Sequence, residues 1–151
     1  MIRYAVETLD ECLEELKPLL HKHYEEIAMY QDRIEFDPDY EAYYRLEEAG
    51  ALHIVTVRDD GEIVGYYVSF VHAHMHYKQD KFSVNDILFI DEAYRGSTVG
   101  YRLIKYVEKK LREIGVTVMT IHMKTEFPFE RLCESLGMDK AEYLYTKYIG
   151  D

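Results

Sequence analysis

The amino-acid sequence predicts a single α/β domain of the α+β type over residues 1–151. Segments with the two-residue alternation of β-strands are interspersed with segments of helical periodicity, in the order β-α-α-β-β-β-α-β-α-β. No Pro/Gly/Ser-rich linker or internal repeat divides the chain, which is long enough to bury a core. This order indicates a mixed, mostly antiparallel sheet of about six to seven strands flanked by about four helices.

The elements of the first half are predicted from capping and breaking residues. Thr8 and Glu11 form a candidate capping box, because each side chain can accept a hydrogen bond from an exposed N–H group at a helix start. Pro18 lies inside the helical pattern that follows and predicts that this helix is kinked or divided. The expected elements are a strand over 2–7, a helix from residue 9, a loop over 31–40 and a helix over 40–49.

The second half begins with a hairpin pattern, in which two β-type segments flank the turn Asp59-Asp60-Gly61. The polar residues 78–81 predict a further turn, and Gly115 ends a strongly periodic helix. The expected elements are strands over 51–58, 62–71 (open to extension as far as 77), 82–90, 116–123 and 141–149, and helices over 98–114 and 129–136.

Composition and charge exclude several classes of function. Eighteen Lys and Arg against 29 Asp and Glu give a formal charge of −11, which repels nucleic acid and anionic membranes and favours cationic partners. The chain has no apolar run near the roughly 18 residues of a membrane span and no signal-peptide pattern. Its two cysteines, Cys12 and Cys133, offer neither a disulfide framework nor a four-cysteine zinc site. We therefore expect a cytoplasmic protein that binds neither nucleic acid nor membrane.

The passage from strand to helix around Arg95 is the most informative part of the sequence. An apolar strand leads through a short loop to Arg95, and an amphipathic helix follows at once. The unpaired N–H groups and partial positive charge of a helix start attract anions, and the small residues Gly96, Ser97 and Gly100 would let a phosphate approach the backbone. The alternative is a helix that Ser97 simply caps after a tight turn.

Three motifs resemble those of the GNAT acetyltransferases. Arg95-Gly-Ser-Thr-Val-Gly100 resembles motif A of that family, Q/R-x-x-G-x-G/A, on the expected strand-loop-helix. The segment LFIDEAYRG resembles the family's usual strand ending before motif A, and ERLCESLGM resembles the helix that follows its fifth strand. The predicted order of elements is also similar to the GNAT fold. More loosely, HYEEIAMYQDRIEFDPDYEAYYRLEEAG and HMHYKQDKFSVND resemble a branch of small GNAT proteins common in bacteriophage genomes.

The resemblance implies an N-acetyltransferase that uses acetyl-CoA as cosubstrate and a primary amine of a small molecule or protein as acceptor. It implies that the pyrophosphate lies on residues of motif A and its flank, Arg95, Gly96, Ser97, Thr98, Val99, Gly100 and Tyr101. It further implies that Leu88 and Ile90 align the pantetheine arm, and that a backbone N–H near Phe89 and Ile90, at a bulge that splays two strands, faces the carbonyl oxygen. Thr98 stands where motif A normally has glycine, and Cys133 stands where many members have a catalytic tyrosine.

Asp86 is the predicted general base. It matches an acidic position that family members often have four residues before the last aliphatic of the strand, here Ile90. Strand alternation predicts that Asp86 shares a face with Leu88 and Ile90, where burial would move its pKa toward neutrality. The alternative is an aspartate that ends strand pairing or orders a turn.

Other candidates for the acceptor end and for the general acid are less specific. Glu25 and Glu26 either line the acceptor site or belong to a solvated helix face. Cys133 is either the acid or a small buried apolar group, since a thiol has a reference pKa of about 8.5. Tyr143 and Tyr145 on the last predicted strand could replace it, and solvent could also protonate the leaving thiolate.

His72, His74 and His76 lie on one side of a predicted strand. No nearby cysteine completes a zinc set, so we expect no metal site. We expect His76 to lie near the substrate, the alternative being a solvent-facing strand edge. Two rival functions remain for the whole chain: a CoA-binding module without activity, and a protein-interaction domain with a tyrosine-rich surface. The resemblance also implies a possible homodimer.

Overall fold

A computed structural model describes all residues from 1 to 151. The chain forms five strands and four helices. In chain order they are β1 (Ile2–Val6), α1 (Leu9–Ile27), α2 (Tyr40–Glu48), β2 (Leu52–Asp59), β3 (Glu62–His74), β4 (Tyr77–Ile90), α3 (Val99–Glu113), β5 (Val116–Thr120) and α4 (Glu130–Ser135). A single 3₁₀ turn, Glu92–Tyr94, lies between β4 and α3.

The strands form one mixed sheet in the order β1-β2-β3-β4-β5. The pairs from β1 to β4 are antiparallel, and β4 pairs with β5 in parallel, which confirms the predicted α+β class. The predicted count of six to seven strands is wrong, because the sheet has five. The missing strand is the one expected over 141–149. That segment is almost wholly exposed and is held against the loop after α1, where Tyr30 Oη lies 3.1 Å from Thr146 Oγ1 and Arg33 lies over the ring of Tyr148.

Local signals in the first half are mostly confirmed. The Thr8–Glu11 capping box opens α1, and Asp60 and Gly61 both have positive φ in the turn between β2 and β3. The predicted interruption at Pro18 is wrong, because α1 runs through it to Ile27. Leucines before and after Pro18 pack on the same core, and their burial offsets the roughly 3 kcal/mol that an internal proline costs.

The predicted turn over 78–81 is also wrong. β3 ends at His74 and β4 begins at Tyr77, so the chain reverses at Met75 and His76. The ring of His74 packs 4.9 Å from that of Tyr77 and 4.5 Å from that of Phe82, measured between centroids. This aromatic cluster stabilises a longer hairpin whose polar residues lie within β4.

Two hydrophobic cores lie on opposite faces of the sheet. One core packs α3 against the sheet through Leu103, Ile104 and Val107. The other packs α1 and α2 against the opposite face, with Leu13, Leu16 and Tyr66 at its centre. The helices thus form layers above and below the sheet. No helix combines the length and the hydropathy that spanning a bilayer requires.

Candidate active site

The sheet opens where β4 and β5 stop pairing. Their parallel register runs from Lys81 opposite Val116 to Val84 opposite Thr120, where β5 ends. β4 continues to Ile90 with β3 as its only strand partner. A cavity of about 1430 Å³ occupies this opening and extends between α1, the loop before α2 and the start of α3.

Asp86 lies at a β-bulge at the start of the opening. Val68 of β3 pairs with Ile87, and Ser69 pairs with Asn85, so Asp86 is the extra residue between two registered pairs. An extra residue shifts the alternation by one, so side chains before and after the bulge exchange faces of the sheet. Bulges of this kind often change the direction of a side chain next to an active site. The bulge predicted near Phe89 and Ile90 is therefore found three to four residues earlier.

The bulge also changes the face on which Asp86 lies. Leu88 and Ile90 pack with the α3 core, whereas the carboxylate of Asp86 accepts a hydrogen bond from Tyr43 of α2 on the opposite side. The prediction that Asp86 shares a face with Leu88 and Ile90 is wrong for this reason. Its side chain instead lies on the α1/α2 side of the sheet, with Ile87 and Phe89.

Burial and a hydrogen bond act in opposite directions on Asp86. Burial is the larger influence and raises the pKa of the Asp86 carboxyl above its ordinary value. The hydrogen bond from Tyr43 Oη to Asp86 Oδ2, 2.5 Å long, opposes this because it stabilises the carboxylate. Burial, followed by this hydrogen bond, raises the pKa of Tyr43, so the phenol remains a donor.

Two residues that follow β5, His122 and Lys124, line the same cavity. Burial lowers the pKa of His122, Lys124 lowers it further, and the nearby carboxylate of Asp86 raises it. The imidazole is therefore mainly neutral at neutral pH. Sequence reasoning missed His122 and Tyr43. The residue-level signal for His122 is alternation beyond Thr120, which places it on the same side of the extended chain as Lys124.

The start of α3 presents unpaired backbone N–H groups to the cavity. No protein acceptor takes a hydrogen bond from the amides of Gly96, Ser97, Thr98, Gly100 and Tyr101, and the Val99 amide donates to Ser97 Oγ at 3.3 Å. Thr98 lies at the N-cap in a helical conformation and its hydroxyl caps nothing. Gly96 has φ +77°, which favours glycine, although a methyl group there would meet no atom within 4 Å.

Arg95 is already engaged by two groups of the chain. Its Nε donates to the Ile90 carbonyl at 2.7 Å and its Nη2 donates to Glu26 Oε2 at 2.8 Å. Arg95 and Glu26 both line the cavity, as does the neighbouring buried His23, whose pKa burial lowers to about 4. The guanidinium thus holds the end of β4 in place, and Glu26 partly neutralises its positive charge.

The cavity gathers most of the predicted cofactor residues. Those that line it are Leu88, Phe89, Ile90, Arg95, Gly96, Ser97, Gly100 and Tyr101, together with Asp86 and Glu26 of the other predicted groups. Val99 is buried under the helix start, in the core between α3 and the sheet.

The other predicted side chains lie elsewhere. Cys133 does not line the cavity, although its neighbour Leu132 does, and burial raises the pKa of the thiol. Tyr143 and Tyr145 are 76% and 91% exposed on the segment that forms no strand. Glu25 is outside the cavity, and His76 lies in the β3–β4 turn, roughly 30 Å along β4 from Asp86.

The comparison with protein families identifies the chain. Residues 10–138, most of its length, match the acetyltransferase (GNAT) family. The chain therefore belongs to the acetyltransferase (GNAT) family, which confirms the resemblance found in its motifs. No curated protein matches it.

Solved structures of acetyltransferases have a similar fold. Glucosamine-6-phosphate N-acetyltransferase from Arabidopsis thaliana is 12% identical with a TM-score of 0.75, and the match covers 99% of each chain. An aminoglycoside acetyltransferase from an uncultured soil metagenomic sample, in complex with sisomicin, is 15% identical with a TM-score of 0.74 over 99% of this chain and 97% of that one. Ribosomal-protein-alanine N-acetyltransferase from Brucella melitensis biovar Abortus 2308 is 18% identical with a TM-score of 0.71 over 99% and 100%.

Proposed function

We propose that the chain is an N-acetyltransferase that transfers the acetyl group of acetyl-CoA to a primary amine of a small molecule or protein. One observation carries the proposal: the unpaired amides at the start of α3 face the same cavity as the open end of β4 and the buried Asp86. An anion site, a free strand edge and a titratable carboxylate are the parts that acetyl transfer from a phosphate-bearing thioester requires.

The start of α3 fits the pyrophosphate of acetyl-CoA. The amides from Gly96 to Tyr101 that lack protein acceptors can each donate to a phosphate oxygen, and the helix dipole adds partial positive charge. Lys124 lines the same cavity and supplies a full positive charge. Arg95 supports this site mainly by holding the end of β4 in place, because its guanidinium already donates to the Ile90 carbonyl and to Glu26.

The free edge of β4 fits the rest of the cosubstrate. Beyond Val84 the edge that faced β5 has no strand partner, so N–H and C=O groups there can pair with the extended pantetheine arm. A backbone N–H of this edge can also donate to the thioester carbonyl oxygen, on which negative charge develops during transfer. Leu88 and Ile90 supply the apolar wall beside it.

The lining of the cavity is acidic as a whole, which favours a cationic amine. Among the side chains that line the cavity, Asp and Glu outnumber Lys and Arg by six to two. Asp86 is the buried member of this set, and a carboxylate there can receive a proton from the acceptor ammonium directly or through a neighbouring group.

The bacteriophage kinship, the cytoplasmic location and the homodimer stay predictions from the sequence.

The test is acetyl transfer to defined amines. Purified protein and acetyl-CoA are incubated with sisomicin, glucosamine 6-phosphate, spermidine or a peptide that begins with alanine, and free thiol and acetylated product are measured. We expect turnover with at least one amine. Binding is measured separately: at CoA a hundredfold above its Kd, the free energy of unfolding should rise by about 2.7 kcal/mol.

The two measurements separate the rival functions. Stabilisation by CoA without turnover on any of the amines would favour a binding module without activity. No stabilisation and no turnover would favour a protein-interaction domain and overturn the proposal. Asp86→Asn is the matched variant, because it should keep the stabilisation by CoA and lose turnover.

A further inference from the structure

His122, which follows β5 and which sequence reasoning missed, lies near Asp86 in the cavity. We propose that His122 is a further catalytic residue, which accepts the proton that the acceptor ammonium loses, and that Asp86 stabilises the resulting imidazolium. This inference rests on the proposed acetyl transfer. It identifies an imidazole nitrogen of His122, rather than the carboxylate of Asp86 alone, as the atom that accepts the proton of the ammonium.

The register of the sheet brings the two residues to the same end of the β4–β5 pairing. Val84 and Thr120 form the last pair of β4 and β5, and Asp86 and His122 each lie two residues further along their own strand direction. Ile121 packs with the α3 core, so the side chain of His122 points to the other side of the sheet. The bulge turns Asp86 to that same side, and both residues line the cavity.

The hydrogen bonds of the protein leave one oxygen of Asp86 and both ring nitrogens of His122 free. Tyr43 donates to Asp86 Oδ2, which fixes the carboxylate, and no protein donor reaches Asp86 Oδ1. Neither nitrogen of the His122 ring has a protein hydrogen-bond partner, and only burial and the charges of Lys124 and Asp86 act on the ring. One nitrogen can therefore face the carboxylate while the other faces the amine.

The surrounding charges favour a neutral imidazole that can be protonated during turnover. Lys124, two residues on, faces His122 from its own segment, and the Asp86 carboxylate faces it from β4. Tyr43 of α2 faces Asp86 as a neutral hydrogen-bond donor. From α1, His23 lies near Lys124 and is paired with Tyr66, at 3.3 Å, and its pKa of about 4 makes it too weak a base for this role.

The acceptor ammonium loses two protons in the proposed step. The acceptor R-NH₃⁺ gives one proton to the neutral His122 nitrogen, and the amine lone pair forms the C–N bond to the acetyl carbon. The C–S bond breaks, its electron pair leaves on sulfur, and the second proton that nitrogen loses on becoming an amide goes to that sulfur. The products are the amide, the free thiol of CoA and an imidazolium, which returns its proton to solvent.

Kinetics of His122→Gln test the role, with His76→Gln as the matched control on the exposed hairpin turn. We expect kcat at pH 7 to fall by about 100-fold while the Kd for CoA stays within about twofold, since general-base catalysis contributes about 10² to 10⁴. In His122→Gly, imidazole in the buffer should restore activity by about tenfold or more, which a structural role would not produce. Retention of kcat in His122→Gln within about threefold would overturn the inference.

A titration of the ring resonances tests the pair without turnover. His122 is assigned in the NMR spectrum by its loss in His122→Gln, and its pKa is measured in the parent protein and in Asp86→Asn. We expect the pKa of His122 to fall by about one unit in Asp86→Asn, because a carboxylate nearby favours the imidazolium. An unchanged pKa of His122 in Asp86→Asn would overturn the proposed interaction between His122 and Asp86, even if acetyl transfer itself is demonstrated. Absence of transfer by the parent protein to any amine would instead defeat the proposed function.

Discussion

The two ends of the cavity differ in the part of the chain from which each is built. At the start of α3 the proposed binding groups are backbone amides, and the side chains around them matter because they are small. At the opening between β4 and β5 the proposed functional groups are side chains from three segments that are far apart in sequence: Tyr43, Asp86 and His122. A backbone site is encoded locally, whereas a side-chain site depends on the packing of the whole fold.

This difference determines how substitutions act on each end. Removing one functional group at the opening should affect the reaction and leave cofactor binding intact. At the start of α3, most side-chain changes should have small effects, and only a change that disturbs the backbone conformation should weaken binding. Four variants test this contrast.

The largest effect is expected for Asp86→Asn. The amide keeps the size of the side chain but cannot carry the negative charge, so kcat for acetyl transfer should fall by about 100-fold or more. The Kd for CoA should stay within about twofold. Steady-state kinetics and calorimetry provide the measurements, and Asp80→Asn, on the same strand beyond the opening, is the control. A comparable loss in both variants would contradict a specific role for Asp86.

Gly96→Ala tests the backbone end of the cavity. A side chain at φ +77° costs about 1–2 kcal/mol, so the loop should relax and the amides should lose their alignment, which would weaken CoA binding by about tenfold. Gly50→Ala is the matched control, because Gly50 has φ +71° and equally open surroundings far from the cavity. Both variants should unfold more easily in thermal denaturation. An equal loss of CoA affinity in Gly96→Ala and Gly50→Ala would contradict a specific role for the backbone at Gly96.

Tyr43→Phe should have a smaller effect that depends on pH. The hydrogen bond from Tyr43 lowers the pKa of Asp86 against the effect of burial, so its removal should raise that pKa further above its ordinary value. A higher pH is then needed to ionise the carboxylate, and the acid limb of the kcat/KM profile should move to higher pH, with about tenfold lower activity on that limb. Tyr44→Phe, whose hydroxyl contacts the exposed Asp10, should leave the profile unchanged.

The smallest effect is expected for the double variant Tyr143→Phe and Tyr145→Phe. Both side chains are exposed and neither belongs to either end of the cavity. We therefore expect kcat to change by less than about twofold and the free energy of unfolding by less than about 0.5 kcal/mol. A loss of kcat near tenfold would restore the prediction that one of these tyrosines protonates the leaving group.

The same contrast explains which features could be predicted from the sequence. The helix start after Arg95 is contiguous, and its small residues, apolar strand and periodic helix are all visible in the chain. The capping box at Thr8 and the turn at Asp60 and Gly61 are equally local, and both are confirmed. Local chemistry was sufficient wherever the backbone alone sets the conformation.

The errors arose where tertiary packing overrides a local pattern. Pro18 is tolerated because leucines on both sides bury into one core. The segment over 141–149 alternates like a strand, yet its side chains contact the loop after α1 instead of the sheet. Asp86 was identified as a candidate base, but its face was wrong, because alternation does not reveal a bulge. His122 and Tyr43 could not be assigned, since only the folded sheet brings them beside Asp86.

The bulge at Asp86 also bears on how this scaffold tolerates insertions and deletions. Deleting one residue between Asn85 and Ile87 would restore an unbroken pleat, with Val68 and Ser69 of β3 facing consecutive partners. Every residue from Ile87 to Ile90 could keep its place, while the carboxylate would be lost from the α2 side of the sheet. Loss of a single codon would thus remove the proposed proton chemistry and leave the proposed phosphate site at the start of α3 unchanged, which is a short route from the proposed enzyme to a ligand-binding protein.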